Sequence, residues 1–285
     1  MTKWLKLAAR LLLSITAAYI LYQKVDFQKV RLILTNANIG LLILAFIIFF
    51  LSKIISAVRL NLFFSSKNLF MPQILNAKLY LLGLFYNLFV PGLGGDAYKV
   101  YWLNKHYKLK VKGLIWATLL DRISGLAALT TLAILFFSLS SFKIDYEILT
   151  LSLVPIMYLI YYMVTRFFFT SFLAIFHKAN IYSFLVQITQ VACVYVILVS
   201  LGLMQRQIDY VLIFLISCYA YLIPVVGFRE LAFVWGAQQL GLDMEISLSI
   251  SLLFYLSMAV TSLSGVVFVL FPEELKPGEG RYYEQ

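Results

Sequence analysis

"LFVPGLGGDAYKV", residues 88–100, breaks an apolar run with a proline, three glycines and an aspartate. Proline ends a helix because it lacks an N–H and clashes with the preceding turn. Glycine lets the backbone turn sharply and lets a ligand come close. A basic stretch, KHYKLKVK at residues 105–112, follows soon after the break. The sequence therefore predicts a helix that stops at Pro91 and a short helix that begins a few residues later.

Around this break the composition is that of an integral membrane protein. The chain of 285 residues is 62% hydrophobic and only 13% charged, whereas soluble domains average about 45–50% apolar and about 25% charged residues. Several apolar stretches reach the roughly 20 residues that cross a bilayer. We therefore expect an all-α, polytopic integral membrane helix bundle. The net charge of +10 lies in short loops, as insertion requires, so nucleic acid is not an expected partner.

A second break, "YLIPVVGFRELAFVWG" at residues 221–236, resembles the first. Each has an apolar helix, a proline, an acidic residue (Asp96 or Glu230) and a short aromatic helix. One interrupted segment in each half of the chain is typical of a transporter-type site. A helix that restarts directs free N–H groups and its positive dipole end at the turn, which favours an anion. Two such turns facing each other at mid-depth would hold a phosphate.

The helix lengths favour two re-entrant hairpins of opposite orientation, at about residues 73–106 and 210–240. Glu230 to Leu240 gives about 16 Å of helix at 1.5 Å per residue, too short for a core of about 30 Å. The alternative is two ordinary loops, with Gln73 to Val90 as a full span. We predict one transmembrane domain over residues 1–272, a short polar cytoplasmic tail at 273–285, and about six full spans. These are Leu5–Tyr22, Ile39–Phe64, Gly113–Leu139, Ile148–Val164, Tyr182–Met204 and Ile246–Phe271.

The distribution of lysine and arginine predicts the orientation of this domain. With the N-terminus inside and both broken segments re-entering, most basic residues lie in cytoplasmic loops, as the positive-inside rule expects. If Gln73 to Val90 crossed completely, KHYKLKVK would lie outside. No A-x-A-like cleavage site follows the first apolar stretch, so we interpret it as an uncleaved helix. We therefore expect a multi-pass protein of the bacterial inner membrane with both termini cytoplasmic.

Two charges lie deep in the span that follows the first break. In "LLDRISG", residues 119–125, Asp121 is nine residues beyond Lys112, or about 13 Å into the helix. Charges at that depth are costly, and are usually paired and functional. Asp121 and Arg122 point about 100° apart on a helix, so each needs its own partner. A structural ion-pair network is the alternative to a ligand site, and the candidate partners are Asp96, Lys99, Arg229 and Glu230.

The second span carries a polar stripe, "LSKIISAVRLN" at residues 51–61. Ser52, Ser56 and Arg59 share one helix face, and Lys53 borders it. Arg59 is near the inner end, where a long side chain can reach the interface by snorkelling. Lys53 lies deeper. A basic stripe that leads to mid-depth would suit an anionic headgroup.

Three stretches resemble the lysylphosphatidylglycerol synthase transmembrane-region family, also called the flippase-like domain family. They are NLFVPGLGGDAYK (87–99), LDRISGL (120–126) and PVVGFRELAF (224–233). The family pattern is P-G-x-x-G-[DE]-x-x-[RK], then [DE]-R-x-x-[GD], then a P-x-x-x-G-x-x-E-like break, in this order. Lys99 stands where arginine is common, and Gly227, Phe228 and Arg229 replace a denser glycine run. Lysine offers a point charge rather than a fork, so the phosphate geometry is expected to differ.

The resemblance implies a lipid translocase that binds an anionic phospholipid or a polyprenyl-phosphate headgroup at mid-membrane. Rocking of the two halves would then change which leaflet is open. No metal or cofactor is expected. The headgroup residues expected from the breaks and the deep charges are Pro91, Gly94, Gly95, Asp96, Lys99, Asp121, Arg122, Pro224, Gly227, Arg229 and Glu230. Lys53, Arg59 and Asn87 are further candidates.

Two other functions stay open from the sequence. The chain could be an accessory subunit of an envelope lipid or polysaccharide synthesis system, with envelope-synthesis enzymes or a second copy of itself as partners. It could also be a membrane enzyme that acts on a lipid phosphate, with Asp121 or Asp96 as base or nucleophile. The synthase name belongs to a fused aminoacyl-transferase domain, and the short loops and the end at Gln285 leave no room for it. We therefore expect no enzyme activity, and membrane lipids as the main partners.

Overall fold

The computed structural model describes residues 15–16, 18–90, 92, 94–142, 147–222, 225, 227–276 and 281–282. The two turn prolines, Pro91 and Pro224, lie outside the described residues, as does most of the predicted first helix. The fold is all-α, as predicted. Residues 18–24 are helical. The helices that follow are α1 Phe27–Thr35, α2 Ile39–Ser65, α3 Gln73–Phe89, α4 Gly94–Tyr107, α5 Val111–Leu139, α6 Glu147–Phe168, α7 Phe176–Ser200, α8 Gln207–Ser217, α9 Phe228–Leu240, α10 Met244–Leu263 and α11 Val267–Leu270.

Short elements complete the chain. The 3₁₀ helices are Thr170–Ile175, Cys218–Leu222, Ser264–Val266 and Pro272–Leu275. Two strands of two residues each, β1 Leu69–Phe70 and β2 Arg281–Tyr282, pair antiparallel. This pair joins the chain near the C-terminus to the connector that precedes α3.

Five stretches in the described part of the chain are long and apolar enough to span a membrane. They correspond to five of the six predicted spans, and the sixth is the predicted first helix. The stretches are Ile39–Ser65, Val111–Leu139, Leu151–Phe168, Thr170–Ser200 and Met244–Leu270. Neither α3 and α4 nor α8 and α9 supply such a stretch. This agrees with short helices on both sides of each break, whereas re-entry into the bilayer remains a prediction.

The chain divides into two compact units. Unit 1 comprises Met1–Phe46, Leu135–Asp145 and Val191–Ser257, and unit 2 comprises Ile47–Ile134, Tyr146–Gln190 and Met258–Gln285. The α8–α9 pair belongs to unit 1 and the α3–α4 pair to unit 2. Each pair therefore sits on its own apolar core.

In unit 2, α3 and α4 pack as an antiparallel hairpin because glycine allows their backbones to touch. A Cβ built on Gly95 would overlap the carbonyl oxygen of Gly83. Nearer the tip, the rings of Tyr86 and Tyr98 lie 4.4 Å apart between centroids. The glycine at position 92 has φ +84, a left-handed conformation that glycine adopts without steric cost. The predicted break is therefore a close helical hairpin whose turn requires glycine.

The segment near the C-terminus packs along this hairpin. A Cβ on Gly265 would overlap the carbonyl oxygen of Leu81, so the last span also approaches α3 at backbone distance. Lys78 Nζ contacts Glu274 Oε2 at 2.5 Å, and Leu275 is buried in the apolar core of unit 2. Residues up to Leu275 thus belong to the packed unit, although sequence analysis assigned positions from 273 onward to a polar tail.

In unit 1, the start of α8 is tied to the end of α9. Gly227 has φ +86 and precedes α9. At the opposite end, Arg206 Nη2 donates to the carbonyl of Leu240 at 2.9 Å, and Arg206 Nε donates to Asp209 at 2.8 Å. Asp209 is buried and also accepts the N–H and the hydroxyl of Ser141. This cluster satisfies carbonyls at the end of α9 that lack intrahelical partners.

An ion cluster at the start of α10 in unit 1 predicts a dependence of stability on pH. Lys29 Nζ lies 2.8 Å from Asp243 and 3.3 Å from Glu245, and these hydrogen bonds raise the pKa of Lys29. Desolvation by partial burial opposes ionisation of Asp243, but hydrogen bonds from Lys29 and the N–H of Ile246 lower its pKa overall. Because the pKa of Asp243 is lower in the folded state, its carboxylate stabilises the fold at pH values above the unfolded pKa of about 3.9. This contribution is lost as the pH falls through the folded pKa.

We therefore expect the melting temperature of the detergent-solubilised protein to decrease when the pH is lowered below about 4. The decrease should be smaller in Asp243→Asn. The measurement is thermal unfolding followed by tryptophan fluorescence from pH 3 to pH 8. Asp26→Asn serves as the control variant, since the Asp26 carboxylate caps α1 by accepting from the backbone N–H groups of Gln28 and Lys29 and contacts no described lysine ammonium. An identical acid profile for wild type and Asp243→Asn would contradict the assignment.

Candidate functional site: the deep charges of unit 2

Helix α5 carries two adjacent charges well inside its length. Asp121 and Arg122 are about 15 and 16 Å from its first residue, Val111, at 1.5 Å per residue. Asp121 is buried, whereas the side chain of Arg122 is 40% exposed. As predicted, the two side chains have separate partners. These partners come from α2 and α4 of the same unit.

Asp121 forms a two-point ion pair with Arg59 of α2. Arg59 Nε donates to Oδ1 at 2.7 Å, and Nη2 donates to Oδ2 at 3.1 Å. The third nitrogen, Nη1, donates to the hydroxyl of Ser183 at 3.0 Å, and Ser183 lies 2.6 Å from Ser124. Both charged side chains are less than 10% exposed. The two-point geometry is the strong form of a charged hydrogen bond.

This pair corrects two expectations. Arg59 was expected to snorkel to the interface, and the structure buries it instead. The reason is that Asp121, Ser183 and the small residue Gly125 provide a site for the guanidinium inside the bundle: a Cβ on Gly125 would lie 3.1 Å from Arg59 Nη1. The partner of Asp121 was sought on the hairpins, and it comes from α2. Arg59 is therefore neutralised, and each of its three guanidinium nitrogens has a partner. Its role as a headgroup contact stays a prediction.

Asp96 of α4 joins two cations. Its Oδ1 lies 2.8 Å from Lys99 Nζ, one helical turn away, and its Oδ2 accepts from Arg122 Nε at 2.6 Å. The expected pairing of Arg122 with a hairpin residue is thus confirmed. Lys99 is buried, and its ammonium also lies 4.7 Å from the centre of the Tyr80 ring. One carboxylate with two cations leaves this cluster with a formal charge of +1.

The hairpin turn is built around this cluster. Arg122 Nη2 donates to the carbonyl of Gly92, and Asn87 Oδ1 accepts from the N–H of Gly95 at 2.8 Å. Gly94 is packed against Val90, since a Cβ there would lie 2.8 Å from the Val90 Cβ. Asn87 therefore holds the start of α4. Its role as a headgroup contact stays a prediction.

Arg122 keeps one edge open for a ligand. Its Nε and Nη2 are bound to Asp96 and Gly92, but no described residue accepts from Nη1. The guanidinium is held in one position by two fixed contacts. Its open nitrogen and its exposure distinguish it from Arg59 and Lys99. A positioned cation with a free donor at this depth can hold one anionic oxygen.

Unit 1 contains a second deep pair, next to its own break. Arg229 is buried and donates from Nη2 to the carbonyl of Ser251 at 2.6 Å and to Glu230 Oε1 at 3.2 Å. The guanidinium also lies 5.5 Å from the centre of the Phe254 ring. Arg229 and Glu230 thus pair with each other, whereas sequence analysis named them as candidate partners of Asp121 and Arg122. Gly227 is the N-cap of their helix.

Sequence reasoning missed the hydroxyl and amide groups that surround these charges. Asn180, Ser183 and Gln187 lie at positions i, i+3 and i+7 of the apolar helix α7, and all three are buried. That spacing places polar groups on one helix face, and it is the signal that would have predicted a polar neighbour. Ser251 lies in an alternating serine run in α10, which gave no such signal. Lys53, a predicted candidate, lies 4.5 Å from the Phe49 ring centre.

The donor set of unit 2 favours binding of an anion. Among the described residues, no group of three or more His, Cys, Asp or Glu side chains could hold a metal ion. Both oxygens of Asp96 and both of Asp121 contact cations. The open donor is cationic, and the net charge of its cluster is positive.

Comparison with known proteins assigns a family to this chain. No curated protein and no solved structure matches it. The family model described as "Lysylphosphatidylglycerol synthase TM region" matches residues 7–265, which include α1 to α10, both breaks and every deep charge described above. The chain is therefore a membrane protein that belongs to the lysylphosphatidylglycerol synthase TM-region family.

Proposed function

We propose that this protein is a lipid translocase of the bacterial inner membrane that binds an anionic lipid headgroup at mid-membrane. The observation that carries the proposal is Arg122: a guanidinium deep in a span, held by Asp96 and Gly92, with one donor open and 40% of its side chain exposed. A charge in hydrocarbon is costly. An exposed one needs a counter-ion, and a lipid phosphate supplies it.

Two neighbouring cations of unit 2 support this assignment, because each is already paired with a carboxylate. Arg59 is neutralised by Asp121, and Lys99 is buried against Asp96. The cluster of Asp96, Lys99 and Arg122 keeps a charge of +1, so one phosphate oxygen at Arg122 would balance it. Both α3 and α4 lack the length of a span. A re-entrant hairpin would bring its turn, Arg122 and the start of α4 to the same depth.

The contacts favour translocation or binding over catalysis. Asp96 and Asp121, the carboxylates that an enzyme would use as base or nucleophile, each contact cations with both oxygens. A carboxylate whose two oxygens both contact cations has no open oxygen for a substrate. No nucleotide motif is present, so uphill movement would need an ion gradient or a partner protein.

The test is the lipid that co-purifies with the protein in mild detergent, identified by native mass spectrometry. We expect wild type to retain an anionic phospholipid or a polyprenyl-phosphate lipid, and Arg122→Ala to retain at least about tenfold less, since a hydrogen bond to a charged group contributes about 1.5–3 kcal/mol. Arg166→Ala is the matched control, because it removes one exposed arginine from the end of α6 in the same unit. Equal lipid retention in folded Arg122→Ala would overturn the proposal.

Transport is measured separately in proteoliposomes. A fluorescent anionic lipid, quenched from outside, reports how much label has changed leaflet. We expect movement with wild type and Arg166→Ala, and a similar loss of movement and of bound lipid with Arg122→Ala. Specific binding without movement in wild type would favour an accessory subunit that presents the lipid to an enzyme.

A further inference from the structure

Glu230 differs from the other deep carboxylates in how its charge is balanced. Asp121 has two contacts from Arg59, and Asp96 has Lys99 and Arg122 at 2.6–2.8 Å. Glu230 uses one oxygen, Oε1, which accepts from Arg229 at 3.2 Å and from Ser251 at 3.3 Å. No described residue contacts Oε2. The side chain is 18% exposed, so this oxygen has access to its surroundings.

Within the described residues, Arg229 is the one cation that contacts Glu230, although the elements packed around α9 carry other charges. Helix α1, which shares an apolar cluster with Leu231 and Val234, carries Arg31 and also Lys29, which is bound by Asp243 and Glu245. The helical segment 18–24 contributes Lys24, which donates to Gln238, and α8 contributes Asp209, which is bound by Arg206 and Ser141. From α10 come the hydroxyl of Ser251 and, next to Arg229, the Tyr255 ring. The 3₁₀ helix Cys218–Leu222 contains no charged residue. Within the described residues, Arg229 is the cation of this site.

We propose that Glu230 is a proton-binding site, and that its protonation converts the Arg229–Glu230 pair into an anion site. In this step Oε2 takes a proton from water, an O–H bond forms, and the carboxylate becomes a neutral carboxylic acid. The formal charge of the pair then changes from zero to +1. Oε1 can still accept from Ser251, and Arg229 keeps its bond to the Ser251 carbonyl. The site therefore gains an attraction for an anion without the loss of its anchor.

The proton would be the coupling ion of the proposed translocase. The anion-binding part of this proposal rests on that proposed function. A proton taken up at Glu230 and a phosphate bound beside Arg229 would together carry less charge through the hydrocarbon than the lipid alone. A proton gradient would then bias the direction of lipid movement. Proton binding itself needs no lipid and can be tested without one.

The first measurement is infrared difference spectroscopy of the protein in detergent between acidic and alkaline pH. A protonated carboxyl has a C=O stretching band that a carboxylate lacks. We expect wild type to show a titrating carboxyl band that is absent from Glu230→Gln, which keeps an oxygen for Arg229 and Ser251. Glu245→Gln, which changes a carboxylate in the first turn of α10 in the same unit, should retain the band. A band of equal size in Glu230→Gln would overturn the proposal.

A second variant changes the site without removing its carboxyl. Ser251→Ala deletes one hydrogen bond to Oε1. We expect the carboxyl band to remain in Ser251→Ala but to move to higher frequency, because the carbonyl oxygen of the acid loses the hydrogen bond from Ser251. A band with unchanged frequency would count against Glu230 as its source.

The link to lipid is tested with dioctanoyl phosphatidylglycerol, titrated into wild type and Glu230→Gln across the same pH range. We expect the affinity of wild type to fall about tenfold per pH unit above the titration of the band, and that of Glu230→Gln to stay flat. A titrating band with no lipid binding at any pH would leave the proton site standing and contradict the proposed function. Lipid binding with no pH dependence and no band would contradict the proton site alone.

Discussion

Asp121→Ala is expected to destabilise the protein by about 3–5 kcal/mol, the largest loss that we predict for a single side chain. The physical reason is the charge that the substitution leaves behind. Arg59 is buried, with its guanidinium between Asp121 and Ser183, and removal of one partner of a buried pair leaves an uncompensated charge at that cost. The measurement is thermal and denaturant unfolding in detergent, with tryptophan fluorescence as the signal.

A double variant separates this penalty from the value of the pair itself. Arg59→Met with Asp121→Leu replaces both charges by apolar side chains, and such replacements are often neutral or stabilising. We expect the double variant to unfold close to wild type and at much higher temperature than Asp121→Ala. Ser183 keeps its contacts with Ser124 and the Ala179 carbonyl. A double variant as unstable as Asp121→Ala would show that the pair is needed for packing, not only for neutrality.

The same double variant distinguishes structural from functional roles of the deep charges. If Arg59 and Asp121 only neutralise each other, folded protein without them should retain the co-purified lipid, whereas Arg122→Ala should lose it. The result would divide the predicted headgroup residues into two groups. Asp121 would join Arg59 in the structural group, and Asp96 and Lys99 would remain with Arg122.

The breaks were predictable because they depend on local chemistry. Proline, glycine and acidic residues in an apolar run have few interpretations in a membrane protein, and α4 and α9 begin within a few residues of the expected positions. The pairing of Arg122 with Asp96 also followed, since a deep charge must have a partner and the hairpin supplied candidates. Arg59 was different. Whether the Arg59 side chain snorkels or is buried depends on which helix lies beside α2. Its position in the sequence is compatible with both.

The closest backbone contacts were beyond sequence analysis for the same reason. Gly83 and Gly265 lie inside helices, where glycine carries no turn signal, and their importance appears only when a neighbouring helix is known. Small residues allow helices in membranes to approach closely. Gly83 meets Gly95, and Gly265 meets Leu81. Helix bounds can be read from hydropathy along one chain, but contacts between helices require the packed structure.

Gly95→Ala tests the most demanding of these contacts. The added Cβ would overlap the carbonyl oxygen of Gly83, and neither backbone can yield without moving α3 away from α4. Overpacking of this kind costs about 1–3 kcal/mol, occasionally more. The next residue is Asp96, so a displaced α4 would also move the partner of Arg122. We expect lower thermal stability together with at least about tenfold less retained anionic lipid.

Gly113→Ala provides the matched control, because it makes the same change in a helix that has room for it. The nearest atom to a Cβ at position 113 is the Cδ of Lys67, at 3.9 Å, and alanine favours a helix over glycine by up to about 1 kcal/mol. We expect this variant to equal or exceed wild type in stability and to retain lipid normally. If Gly95→Ala behaved like Gly113→Ala in both measurements, the hairpin would tolerate a wider separation, and the position of Asp96 would not depend on the contact between Gly83 and Gly95.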